Sequence, residues 1–130
     1  MQLRRLLCTF VCLMVGSVCL AQDPVKVDPK HYKVESENAQ VRVLRIHYGP
    51  HEKSVMHQHP DSVVIYLTDA TTNMTTPDGK TQVMKGKAGD AAYAPAGSHL
   101  PENASDKPFD AILVELKSPA HAQVASAKKQ

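Results

Sequence analysis

From residue 22 onward the sequence has no cysteine; Cys8, Cys12 and Cys19 all fall within the first 21 residues. Disulfides, thiol nucleophiles and Cys-ligated zinc are thereby excluded from the body of the chain. Tryptophan is absent, and two Phe and four Tyr are the only aromatics in 130 residues. The expected core is therefore built from Val, Ile, Leu, Met and Ala. An excess of charge is missing too. The formal net charge of +2 comes from Arg4 and Arg5, and beyond residue 21 acids and bases balance. A neutral body without a basic stripe excludes a nucleic-acid surface and an electrostatic membrane patch. With 42% hydrophobic and 22% charged residues, the chain has the composition of an ordinary globular protein and the length of one domain.

The N-terminus reads as a targeting segment. MQLRR is a short basic leader, the uncharged run Leu6 to Leu20 follows, and Ala21 precedes the polar Gln22-Asp23-Pro24. These are the parts of a secretory signal peptide, with cleavage expected after Ala21. As a helix the run would span about 22 Å, short of the ~30 Å hydrocarbon core, which disfavours the alternative of a retained anchor. Val18 before Cys19 is not the small residue a lipidation site wants. The expected location is secreted or periplasmic, with no stable membrane association after cleavage. The expected organisation is a signal peptide over 1–21, an N-terminal arm over 22–30, a barrel over 31–117 and a flexible tail over 118–130.

The body reads as short strands. Segments rich in Val, Ile, Thr and Tyr at 31–36, 40–48, 54–59, 62–68, 71–76, 81–85, 90–94, 98–102 and 109–117 alternate with turn signals. Asp78-Gly79 between Thr-rich runs marks a hairpin. No window of 12 residues sustains a helical period. Regularly spaced short strands predict an all-β fold of two antiparallel sheets, a jelly-roll barrel with room for a ligand.

Seven histidines stand in this chain. His57-Gln58-His59 lies in an expected strand, so the two imidazoles share a face about 6.6 Å apart along the chain. A second element runs from Gly89 through a short strand and the Pro95-Ala96-Gly97 corner to His99. Gly97 is free to take a positive φ there, turning His99 inward. His57, His59 and His99 then form a three-nitrogen set from two strands.

The succession Gly89, Pro95, Gly97, His99, Asn103 resembles the second sequence motif of the cupin superfamily. A single residue, Ser98, separates Gly97 from His99 where that motif usually has two. The first cupin motif is present in part. Gly49 precedes His57 by seven intervening residues where five are usual, Val63 and Val64 stand where a glutamate is expected, and Ala70 occupies the closing glycine position. The resemblance spans roughly 31–117. It implies a cupin-type double-stranded β-helix with a divalent metal on His57, His59 and His99, similar to the three-histidine cupins that include the thiol dioxygenases. Three neutral imidazoles would leave such a site at +2 with an open position, suited to an anionic ligand. Imidazole does not choose among Fe, Zn, Mn, Ni and Cu. The alternative is a cupin that has lost its metal along with the glutamate.

Val63, Ile65 and Leu67 are expected to line the pocket, with Tyr66 pointing outward. His47 shares parity with Val41 and Val43 and is a further lining candidate. Asp61 could support a ligand imidazole or simply face water, Glu115 could point either way, and Tyr93 is expected in the core. The function expected is metal-dependent chemistry of dioxygenase, isomerase or lyase type on a small anionic or oxygenated molecule. The alternative is a non-catalytic module that binds a small ligand, with no metal or a structural one. Resemblance further implies a possible homodimer, with strand 40–48 or the arm as its edge.

Overall fold

A computed structural model describes residues 22–118; the expected signal peptide and all but the first residue of the expected tail lie outside them. Nine strands and one helical turn follow in the order α1 (Pro24–Val27), β1 (Tyr32–Glu37), β2 (Val41–Tyr48), β3 (His57–His59), β4 (Ser62–Tyr66), β5 (Ala70–Thr75), β6 (Thr81–Gly86), β7 (Ala91–Ala94), β8 (Gly97–Asn103) and β9 (Phe109–Leu116). They form a five-stranded sheet, β1-β2-β9-β4-β7, and a four-stranded sheet, β3-β8-β5-β6, with every strand pair antiparallel. No helix among the described residues is long and apolar enough to cross a membrane.

Turn chemistry sets the connections. Gly79 takes φ 82° in the β5–β6 hairpin and its N–H donates to Thr76 O at 2.9 Å, a conformation that strains side chains with a Cβ. Gly89 takes φ 90° between β6 and β7. The Asp69 carboxylate accepts the Ala88 N–H of this turn at 3.0 Å, and the Asp90 carboxylate accepts that of Lys87 at 2.9 Å. Gly97 does not take a positive φ; it opens β8 as extended backbone. The inward aim of His99 therefore comes from strand register and not from the corner. Asn103, fully buried at the end of β8, donates from Nδ2 to Gly49 O at 2.9 Å and Lys107 O at 2.7 Å, and accepts the Ser105 N–H at 3.0 Å. One side chain thus ties together two loops, adding a second donor to carbonyls that also accept Glu52 N–H and the Ser105 hydroxyl.

Register decides which residues face inward. β9 pairs Phe109, Ala111, Leu113 and Glu115 with Tyr48, Ile46, Leu44 and Arg42 of β2, and Ala111, Leu113 and Glu115 with Tyr66, Val64 and Ser62 of β4. The buried core is Tyr32, Leu44, Ile46, Tyr48, Ala70, Phe109, Ala111 and Leu113. Aromatics were expected to contribute little, yet three of the six form its centre. Tyr48 stacks on Phe109 at 5.1 Å and meets Tyr32 edge-on at 6.1 Å. A scarce residue type carries much of a core when each copy buries a large area.

Residues 22–30 pack against the barrel. Asp23 caps α1 by accepting Val25 N–H at 3.0 Å, Pro24 is buried, and Gln22 O accepts Gln58 N–H at 2.9 Å beside β3. β2 lies between β1 and β9, so strand 40–48 is not a free edge for a partner.

Candidate metal centre

The three histidines converge. In β3, His57 and His59 point to the same side, and the β3–β8 register sets His57 directly opposite His99, where cross-strand side chains share a face. Their ring centroids are 4.9, 5.0 and 5.3 Å apart, and one ligand atom from each lies within 4.8 Å of the others. Imidazoles sharing an ion at about 2.1 Å stand at most roughly 4.2 Å apart, so small side-chain movements close the set.

The two imidazoles of β3 are each fixed from behind. His57 Nδ1 donates to Val55 O at 2.8 Å, leaving Nε2 to face its neighbours. That Nε2 is buried with no hydrogen-bond partner among the described residues. A buried acceptor left unpaired is costly, and an ion shared with His59 and His99 would satisfy it. The donor set therefore fits a divalent metal. Burial, then the nearby His59, holds His57 down at about 4; burial, then His59 and His57, holds His99 at about 3. Both rings are neutral near pH 7, the state in which imidazole ligates.

Behind His59 runs a chain of charge. His59 Nδ1 lies 2.6 Å from Glu115 Oε1, and Arg42 Nε donates to Glu115 Oε2 at 2.6 Å. Arg42 Nη1 and Nη2 donate in turn to the Asp23 carboxylate at 2.8 and 3.1 Å. Burial works to raise the Glu115 pKa, but His59 and Arg42 outweigh it and hold the carboxyl below its usual range. An ionised Glu115 accepts a hydrogen bond from His59 Nδ1–H and leaves Nε2 as the ligand atom. Asp23, Arg42 and Glu115 together carry one net negative charge, which offsets part of an ion's +2. Behind His57, Ser54 Oγ lies 3.3 Å from Nδ1 and donates to Asp28, which also engages His31 Nδ1 at 2.7 and 2.9 Å. The N-terminal segment thus supports both ligands of β3.

A cavity of about 910 Å³ opens beside the cluster. His59, His99 and Tyr32 line it, with Ile46, Val64, Tyr66, Met74, Met84, Phe109 and Leu113 making an apolar wall. Tyr32 meets His57 edge-on at 4.8 Å, and burial raises its pKa well above the phenol value.

The expected lining of β4 is corrected. Ser62, Val64 and Tyr66 face the cavity; Val63, Ile65 and Leu67 do not, and Leu67 is exposed. Val63, Val64 and Ile65 are all apolar, so alternation could not choose between faces. Pairing with the inward Glu115 places Ser62 inside. His47 likewise faces solvent, 3.0 Å from Asp110 Oδ1 and away from the cavity. Tyr93 is exposed, and Asp61 accepts the Ala96 N–H at 2.8 Å without reaching an imidazole. Arg42 and Asp23 were not singled out by the sequence. Only the polar interruption of an apolar strand at Arg42 hinted at them.

No family model matches the sequence, and no curated protein does. Solved structures match its fold. A cupin domain from Bordetella pertussis Tohama I is 27% identical, covers 67% of this chain and 92% of its own, and superposes with a TM-score of 0.62. A conserved Klebsiella pneumoniae protein with a double-stranded β-helix domain is 22% identical over 82% of this chain and 92% of its own, with a TM-score of 0.55. An RmlC-like cupin from Methanocaldococcus jannaschii is 18% identical over 76% of this chain and 89% of its own, with a TM-score of 0.54. The chain is a cupin in fold, a double-stranded β-helix. Within it His57, His59 and His99 form the three-histidine cluster that could hold a metal ion.

Proposed function

We propose that this protein is an exported cupin that binds a divalent transition metal through His57, His59 and His99 and presents it to a small anionic or oxygenated molecule in the cavity. The observation that carries this reading is the buried, unpartnered Nε2 of His57, facing two further imidazoles. A bound ion would supply Lewis acidity or, with a redox metal, oxygen activation. The chain's own residues do the rest. Glu115 and Val55 O hold the Nδ1 protons of His59 and His57 so that both Nε2 atoms face inward. Tyr32 keeps its phenol proton at neutral pH and has a hydroxyl 2.9 Å from that of Tyr48. The pair thereby supplies a hydrogen-bond donor beside the cluster. The apolar wall limits water around whatever enters.

One observation favours the non-catalytic reading. Asp90, from the turn before β7, is the only carboxylate among the described residues that line the cavity. Glu115 lies behind His59 and does not line the cavity, so proton-transfer chemistry lacks an obvious agent facing it. A binding module needs none.

Metal analysis of untagged protein prepared without chelators separates the readings. About one transition metal per chain, lost in the His57→Ala/His59→Ala double variant while the β-sheet circular dichroism persists, is the expected result. Protein that holds no metal and takes up no added Fe²⁺, Zn²⁺ or Mn²⁺ would establish the metal-free module. Export rests on residues 1–21, and N-terminal sequencing of the processed protein should begin at Gln22.

A further inference from the structure

The cavity is larger than a small polar anion needs, and its walls are not uniform. Its volume of about 910 Å³ lies near the top of the range for small-molecule sites, roughly 300–1,000 Å³. The histidines occupy one end. They sit on β3 and β8, at one side of the four-stranded sheet, whose other side ends at β6. Three inter-strand gaps of about 4.8 Å separate β3 from β6, a distance of roughly 14 Å.

Along that distance the lining is largely apolar, interrupted by Thr72, Thr81 and Gln82, with Lys80, Lys85 and Asp90 at the exposed rim. The register places Met84 of β6 opposite Thr72, and Met74 opposite Gln82. Facing them across the barrel are Val64 and Tyr66 of β4, and Ala92 of β7 beside Val64. β6 and β7 are both edge strands, and the lining residues Gln82, Met84 and Ala92 are exposed. The cavity therefore opens between these two edges, and its lining is exposed again at Pro95, Ala96 and Gly97 beside the histidines. Methionine at such a mouth adapts to varied apolar shapes. Gly86 belongs to the same wall: a Cβ there would fall 2.4 Å from the Tyr66 ring. The bare glycine lets Tyr66 lie flat against β6.

We infer that the cavity takes an elongated amphipathic anion, with a carboxylate or enolate head at the histidines and an apolar body running past Val64, Met74 and Met84 to the mouth. At roughly 1.3 Å of advance per tetrahedral C–C bond, the 14 Å run matches a body of about ten carbons. The head's placement rests on the metal reading above; the body's placement rests on the lining alone. The buried His57 Nε2 marks the polar end as a site that wants a partner.

Straight-chain carboxylates from acetate to tetradecanoate test this by calorimetric titration of the processed protein loaded with Co²⁺. Affinity should rise about fourfold per added methylene while each is buried and level off near ten carbons. The visible bands of Co²⁺ should shift as the head binds. Met84→Glu, at an exposed rim position, should lower decanoate affinity at least tenfold more than acetate affinity. Val64→Phe, which fills the gallery, should shorten the series. A flat series on Co²⁺-loaded protein overturns this inference and leaves the metal reading standing. Length-dependent binding by protein that takes up no Co²⁺ supports the apolar body and overturns the metal reading.

Discussion

His59 Nδ1 and Glu115 Oε1 stand 2.6 Å apart with both residues buried, so a carboxylate missing as a metal ligand is present directly behind one. The usual cupin glutamate would add its charge at the ion. Here Glu115 adds it one imidazole further out, with Arg42 holding its second oxygen. Glu115→Gln should lower metal affinity by about 10- to 100-fold, the usual effect of removing the group that orients a histidine ligand. Chelator competition on the folded variant reads this. An affinity equal to the wild type would reduce Glu115 to a structural partner of Arg42.

Gly86 and Tyr66 make a second coupled pair. A methyl at residue 86 would sit 2.4 to 2.5 Å from three ring carbons of Tyr66, well inside contact distance. The ring must then move, and overpacking of this kind costs typically 1–3 kcal/mol. Gly86→Ala should lower the urea midpoint by a corresponding amount. Gly86→Ala combined with Tyr66→Leu should recover part of the loss, because the smaller side chain leaves room. No recovery would mean that the backbone at residue 86 carries the cost.

The sheet architecture was legible because turn residues cut the chain at regular intervals and each interval had one strand's composition. Asp78-Gly79 located a hairpin since its left-handed residue was visible as a glycine. The histidine set was legible for a related reason: His57 and His59 alternate on one strand, and alternation survives folding. Facing direction was less accessible. β4 carries apolar side chains on both faces, so Val63, Val64 and Ile65 gave no parity signal, and only pairing with β9 across 50 residues resolved it. Glu115 posed the same difficulty among Ile112, Leu113 and Val114. The charge chain from Asp23 to His59 joins residues 19, 73 and 56 positions apart, a relation that exists only in three dimensions.

Asn103 belongs to the cupin-like motif yet stands apart from the metal centre. It lies four residues beyond His99 on β8, about 13 Å along a strand. Its amide satisfies Gly49 O and Lys107 O. Asn103→Ala should destabilise the fold by about 1–3 kcal/mol, because the Ser105 N–H loses its acceptor and Gly49 O and Lys107 O each lose one of two donors. Metal affinity of the folded fraction should change less than threefold. A large loss of affinity at unchanged stability would place Asn103 in the site's support instead of the scaffold's.

Acid sensitivity of the metal-free protein follows from the buried imidazoles. In the unfolded chain a histidine takes up its proton near pH 6.5. In the fold, burial holds His57 to about 4 and His99 to about 3. Between these limits the unfolded state binds more protons, so stability falls as pH drops from about 6.5 towards 3. Glu115 acts in the same direction, since its depressed pKa means that stabilisation by His59 and Arg42 is lost when it protonates. The thermal midpoint of chelator-treated protein should therefore decline steadily from pH 6.5 to 4. His99→Ala removes one of the two buried imidazoles and should make that decline shallower. An unchanged slope in this variant would show that His99 is not held neutral by the fold.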